Sequence, residues 1–254
     1  MWIFLWFILS SIILGIFAWS LRILFQQKKA WGAFAKRMGL TYVPGKIMQS
    51  PSITGRIKNF KISLYTTFQK TNDVRGQRFV TVIELEMGPG MPTAAVIATE
   101  EYQGFVETLK MDETLVPDFK DWSSSYLIRT KSRDKLAAYL TPERLELIHS
   151  LFSMSNAFSL LFFDELECVL RIETTDPLRK PDNMEKITKR IIAIATKLWP
   201  TEEERSGIAA TISPAAIVQP GIVLDVPVNS GLTLELEEEG ADVPSEPQAD
   251  TNKP

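Results

Sequence analysis

The first 21 residues, MWIFLWFILSSIILGIFAWSL, contain no charged side chain. No other feature limits so sharply what the chain can become. In a helix they rise about 1.5 Å each, or roughly 30 Å in all, the thickness of a bilayer's hydrocarbon core. A cleavable secretory signal would carry a positive n-region, a shorter apolar stretch and a small-x-small cleavage site. No Lys or Arg precedes this run, and bulky Trp19, Leu21, Ile23 and Leu24 fill the place where cleavage would occur. The expectation is an uncleaved signal-anchor, one single-pass transmembrane helix that meets the lipid bilayer through residues 1–25.

Orientation follows from the flanks. Arg22, Lys28, Lys29, Lys36 and Arg37 come just after the run, within the roughly 20 residues over which positive charge sets topology. Only the α-amine stands on the other side. The N-terminus is therefore expected outside and the C-terminal domain in the cytoplasm, at the cell inner (plasma) membrane. Trp2, Trp6 and Trp19 sit towards the two ends of the run, as an interfacial aromatic belt would. The single cysteine, Cys168, excludes an intrachain disulfide framework and agrees with a reducing compartment.

The net charge of −3 conceals an asymmetry. Residues 201–254 carry 11 acidic and 2 basic side chains, while residues 26–200 carry 25 basic and 20 acidic ones. A mildly basic domain beside an anionic leaflet, with its tail repelled into the cytosol, would have this distribution. Ordinary scatter over so long a stretch would also produce it.

Trp31, Phe34, Ala35 and Met38 recur at helical spacing, with Lys29, Lys36 and Arg37 on the opposite face. Gly39 supplies a C-cap, and the helix is expected to dock its aromatic face into the domain core. Extended runs follow over residues 52–58 and 61–69, joined by a tight turn at Asn59 and Phe60. Residues 70–78 (KTNDVRGQR) read as a long surface turn, and FVTVIELEM (79–87) as a half-buried strand with Glu84 and Glu86 outward. TAAVIAT (93–99) and YLIRTK (126–131) are further strands, and residues 100–122 are irregular or weakly helical.

Residues 133–140 suggest a short helix. A better one begins at Thr141-Pro142, an N-cap followed by the residue preorganised for a first helical turn. Residues 158–163 and 168–173 flank DELE as a hairpin. Asp182 and Glu185 have capping-box spacing before a helix that carries Met184, Ile187, Ile191, Ile194, Ala195 and Leu198 as far as Pro200. The order predicts an α+β fold. One domain over residues 27–200, with a largely antiparallel sheet and about three packed helices, follows the anchor and precedes a disordered acidic tail over 201–254. Within that tail, GIVLDVPV and LTLEL, between Gly221 and Leu236, are β-prone enough to add a strand to a protein partner's sheet.

Catalytic signatures are missing from this sequence. His149 is the only histidine and lies on the amphipathic helix without acids or Cys at ligand spacing, so neither a metal site nor a cofactor is expected. Cys168 falls in an apolar strand, where a thiol is usually inert packing. GxxxxGK[ST], GxGxxG and GxSxG spacings do not occur. The acids at 164–167 sit at a turn, where carboxylates are normally solvated. Lys70, Arg75 and Arg78 offer an anion contact such as a lipid headgroup, against the plainer reading of a solvated loop. Nucleic acid is not an expected partner, because the chain is acidic overall.

The stretch from SYLIRTKSRDKLAAYLTPERLELIHSLFS to AFSLLFFDELECVLRIETTD resembles a pattern in bacterial single-span membrane-anchored proteins of unknown function. Leu140, Thr141, Pro142, Phe158, Phe162 and Phe163 carry the resemblance, across residues 124–199. It implies a bacterial inner-membrane protein facing the cytoplasm and brings no catalytic residues. Two functions remain in contention. One is a membrane-tethered interaction or scaffold module without catalytic activity, and the other a lipid- or envelope-component-binding domain at the inner-membrane surface.

Overall fold

A computed structural model describes residues 1–46, 49–70 and 76–211, all within one compact unit, Met1–Ile217. The stretch from 212 onward, including the segments between Gly221 and Leu236 and the expected disordered tail, lies outside the described residues. Helix α1 (Trp2–Met38) runs unbroken through the apolar run and the amphipathic stretch. It stops at Gly39, whose φ of 68° is left-handed and whose N–H donates to the Ala35 carbonyl. Glycine adopts that conformation without the Cβ clash other residues meet.

Among the described residues, nine strands form one sheet: β1 (Thr41–Val43), β2 (Ser52–Ile57), β3 (Phe60–Lys70), β4 (Gln77–Pro89), β5 (Ala95–Thr99), β6 (Glu113–Thr114), β7 (Tyr126–Thr130), β8 (Ala157–Phe163) and β9 (Glu167–Thr174). Their order is β1-β2-β3-β4-β9-β8-β5-β7-β6, and every adjacent pair is antiparallel. The first four strands form an antiparallel meander. After them, the β8–β9 hairpin inserts between β4 and β5, which no local sequence pattern announces. The turn between β2 and β3 is Lys58-Asn59, with Lys58 at φ 54°, so Phe60 already pairs with Ile57. Lys70 pairs with Gln77, so the expected long turn over 70–78 is shorter at both ends.

Cross-strand partners place Ile62, Leu64, Ile83, Leu85, Leu170, Ile172, Leu161, Phe163, Ala95 and Ile97 on one face, all buried. Alternation at period 2 is what brings them there. Against that face pack the second half of α1, α3 (Arg133–Tyr139), α4 (Pro142–Phe152), α5 (Pro181–Leu198) and α6 (Glu202–Ala210). The opposite face bears a smaller cluster, Val96, Ala98 and Leu160, beneath Val106 of α2 (Gln103–Thr108) and Met111. The architecture is α+β as expected, and five α-helices follow α1 among the described residues, against about three expected after the anchor.

Of two expected caps, one is where the sequence puts it and one is not. Thr141 does cap α4, accepting from the Arg144 N–H at 3.3 Å. Asp182 does not cap α5, because Pro181 occupies the first turn and shifts the N-cap to Lys180. Asp182 and Glu185 instead face Arg37 of α1, at 2.6 and 3.7 Å. The capping box belongs to α6, between Thr201 and Glu204. That helix lies inside the stretch assigned to the tail, and its Ile208 is 4% exposed in the main core. Folded structure therefore continues past residue 200, at least as far as Ala210.

Candidate functional site

Helix α1 changes its surroundings along its length. Every residue from Met1 to Ser20 is exposed, including Trp2, Trp6 and Trp19. Leu21, Ile23 and Leu24 are half-buried, Gln27 is buried, and Ala30, Trp31, Phe34 and Ala35 are buried in the core. Side chains three and four apart share one helix face, so a single stripe meets the domain. Residues 2–38 would span about 55 Å, of which a hydrocarbon core uses about 30 Å. α1 is long and apolar enough to cross a membrane, and its apolar window is not covered by the protein.

The five cations named for topology fall into different environments. Arg22, Lys29, Lys36 and Arg37 are exposed. Lys28 Nζ donates to the Lys46 carbonyl at 2.6 Å, and the Tyr42 hydroxyl donates to the Lys28 carbonyl at 3.1 Å. Arg37 is held above its ordinary pKa by its hydrogen bond to Asp182 and the charge of that carboxylate. Arg37 thus ties the anchor helix to α5, while Arg22 and Lys29 remain on the outer surface at the level where the apolar run ends.

Two clefts flank α1 there. One, of about 710 Å³, lies between α1 and the segment joining β9 to α5, and Gln26, Lys29, Ala33, Arg179 and Lys180 line it with Asp176. The segment is shaped by Asp176, whose carboxylate accepts from the Leu178 N–H at 2.8 Å, and by Leu178 at φ 50° with its side chain buried. The other cleft, of about 440 Å³, is mostly apolar. Leu21, Leu24 and Gln27 of α1 form one wall, and Thr66, Phe79 and Thr81 of the sheet the other. Beside it Phe68 and Phe79 lie 4.0 Å apart between ring centroids, and both are exposed. Cations and exposed aromatics at one level around an apolar helix are what a membrane–water interface favours.

The proposed anion loop is only partly described. Arg75 and the side chain of Lys70 lie outside the described residues. Arg78 Nε donates to the Gln69 side chain at 2.9 Å, and its guanidinium sits 4.6 Å over the Phe158 ring. Arg179 and Lys180, the cations that line a cleft, belong to no motif in the sequence. Their adjacency before Pro181 was the available hint, but only the fold shows that they face Lys29.

The Cys168 thiol is 3% exposed, and burial pushes its pKa up. His149 borders Phe119 and Tyr126, with centroids 6.0 and 6.3 Å away, and its buried Nδ1 has no partner among the described residues. At the 164–167 turn, the Asp164 carboxylate accepts from the Leu166 and Glu167 N–H groups at 2.8 and 2.9 Å. Glu84 is not simply solvated. The Tyr65 hydroxyl donates to it at 3.1 Å, and Arg171 lies 3.4 Å away. Arg171 donates twice to Glu173, at 2.9 and 2.7 Å, which satisfies a carboxylate that is only 4% exposed. Burial opposes the Arg171 charge, but the hydrogen bonds and charge of Glu173 outweigh it and hold the guanidinium above its ordinary pKa. Among the described residues, no three His, Cys, Asp or Glu side chains are grouped to hold a metal ion.

No protein-family model matches the sequence, and no curated protein matches it. Among solved structures, the mycobacterial trehalose monomycolate transport factor A aligns with 12% identity and a TM-score of 0.41. The alignment covers 68% of this chain and 96% of that one. So low a score carries no functional argument.

Proposed function

We propose that this protein is a non-catalytic, membrane-tethered module whose α+β domain binds the anionic surface of the leaflet that anchors it. The observation that carries the reading is the cleft of Lys29, Arg179 and Lys180 at the base of the apolar helix. Lys29 lies four residues beyond Phe25, about 6 Å along the axis and so at headgroup depth. Cations near an anionic surface contribute about 1 kcal/mol each. Three of them would hold the domain down against rotation about its anchor, while Arg37 and the buried Trp31 and Phe34 keep α1 rigid with the sheet. The same excess of positive charge supports a cytoplasmic domain at the inner membrane.

Hydrogen exchange on the full-length protein in nanodiscs tests this. Residues 176–180 should exchange more slowly in phosphatidylglycerol-rich discs than in phosphatidylcholine discs. The protection should fade at about 1 M salt, where the Debye length is about 3 Å, and in a K29E/R179E/K180E variant. Equal exchange in both lipids would refute the reading. A reporter fused after Ala210 tests orientation separately, and activity on the far side of the membrane would overturn the cytoplasmic placement.

A further inference from the structure

We propose that the apolar cleft between α1 and the β3–β4 hairpin takes one acyl chain of a bilayer amphiphile. In this arrangement Gln27 and Thr81 hydrogen-bond its ester, amide or hydroxyl group. The inference rests on the membrane seating proposed above and adds what the second cleft is for.

Three observations converge. First, one wall is made of Leu21 and Leu24, which continue the uncharged run of α1 towards the domain. A chain leaving the hydrocarbon along that wall meets no charged side chain before the cleft, because Arg22 is not among the lining residues. Second, the facing wall is a sheet surface of Thr66, Phe79 and Thr81, and at about 440 Å³ the cleft falls in the size range of small-molecule sites. Third, Gln27 and Thr81, 5% and 2% exposed, place an amide and a hydroxyl in the lining of this cleft. A few polar groups in an otherwise apolar cleft fix the orientation of what enters it. An acyl chain with a polar linkage meets both demands. Its methylenes suit Leu21, Leu24 and Phe79, and its linkage suits an amide that both donates and accepts beside a hydroxyl.

The geometry also separates headgroup from chain. The basic cleft takes the charge, while the apolar cleft, which α1 also borders, needs none. Chain entry therefore does not depend on lipid charge.

The test uses full-length protein in phosphatidylcholine nanodiscs, with and without phosphatidylglycerol, doped with a phospholipid carrying a diazirine in its acyl chain. After irradiation and digestion, adducts are expected on the β4 peptide containing Phe79 and Thr81 as well as on α1. Thr66→Trp, which fills the cleft from a half-buried position, should lower the β4 adduct at least tenfold and leave adducts at Phe4–Leu14 unchanged. Two results would overturn the proposal: label confined to α1 in the wild type, or a β4 adduct that Thr66→Trp leaves intact. Should the tryptophan variant fail to fold, the wild-type pattern and Leu24→Trp, which fills the cleft from the helix side, decide the matter. If residues 176–180 lose their anionic-lipid protection while the β4 adduct persists, the headgroup reading fails and this one stands. The reverse result removes the acyl-chain site alone.

Discussion

Phe34→Ala tests whether the anchor helix is part of the domain or merely attached to it. Phe34 is 0% exposed and lies in the same core cluster as Ile53, Ile62 and Leu85. Removing the ring deletes its transfer free energy and leaves a cavity that the surrounding strands can fill only by shifting. Truncations of this kind cost about 3–5 kcal/mol. For a domain of this size each kcal/mol lowers Tm by roughly 2–4 °C, so the melting temperature should fall by about 6–20 °C. Phe25 is the internal control. It lies nine residues earlier on the same helix, is 56% exposed, and on alanine substitution should change stability by less than about 0.5 kcal/mol. Both variants are compared as full-length proteins in the same neutral detergent, by circular dichroism and by urea midpoint. Loss at Phe34 also frees the basic cleft from its fixed position, so protease sensitivity near Arg179 and Lys180 should rise in parallel. A shift at Phe34 no larger than at Phe25 would refute the rigid joint, and with it the idea that α1 sets how the domain meets the membrane.

Two further outcomes follow from the far end of the core. The Glu204 carboxylate is held below its ordinary pKa by the Thr201 N–H first and by the Arg144 guanidinium. A depressed folded-state pKa contributes stability that is present above the ordinary value of about 4.3 and is lost as pH falls through the lower folded value. The urea midpoint should therefore drop between pH 6 and pH 3 by less in Glu204→Gln than in the wild type, and an equal drop would show that the α6 cap is not coupled to the fold. Thr201→Ala removes the same cap and should cost about 1 kcal/mol at pH 7. Cys168, buried and with its thiol pKa raised, should resist a thiol reagent at pH 8 in the native protein and react at once in urea. Rapid native labelling would mean that the β8–β9 hairpin opens.

What local chemistry dictates was legible in the residues alone. An uncharged run long enough for a bilayer, the Gly39 stop, the Thr141-Pro142 start and period-2 alternation in β4 each depend on neighbours a few positions away. The first three appear in the fold as read; in β4 burial alternates only from Ile83 to Met87, because Val80 and Val82 are buried beside Thr81 while Phe79 is exposed. The docking face of Trp31, Phe34 and Ala35 also appears as read, since helical spacing already puts those side chains on one stripe.

Only the tertiary structure decided which partners distant residues would find. Asp182 and Glu185 have the spacing of a capping box, yet Pro181 moves the helix start and Arg37, 145 residues away, takes Asp182 instead. The stretch after Pro200 has a tail-like composition, but a Thr201–Glu204 box and one buried isoleucine suffice to dock it as α6. Insertion of β8–β9 between β4 and β5 brings Arg171 beside Glu84, 87 positions earlier, and turns a solvated-looking acid into half of an ion pair. The two clefts arise in the same way. Lys29 and Arg179 are remote in sequence, as are Gln27 and Thr81, and each pair meets only because α1 lies across one end of the sheet. Sequence spacing records which face a side chain takes on its own element. Which cleft that face then lines depends on how elements pack, and packing is set by burial summed over the whole core.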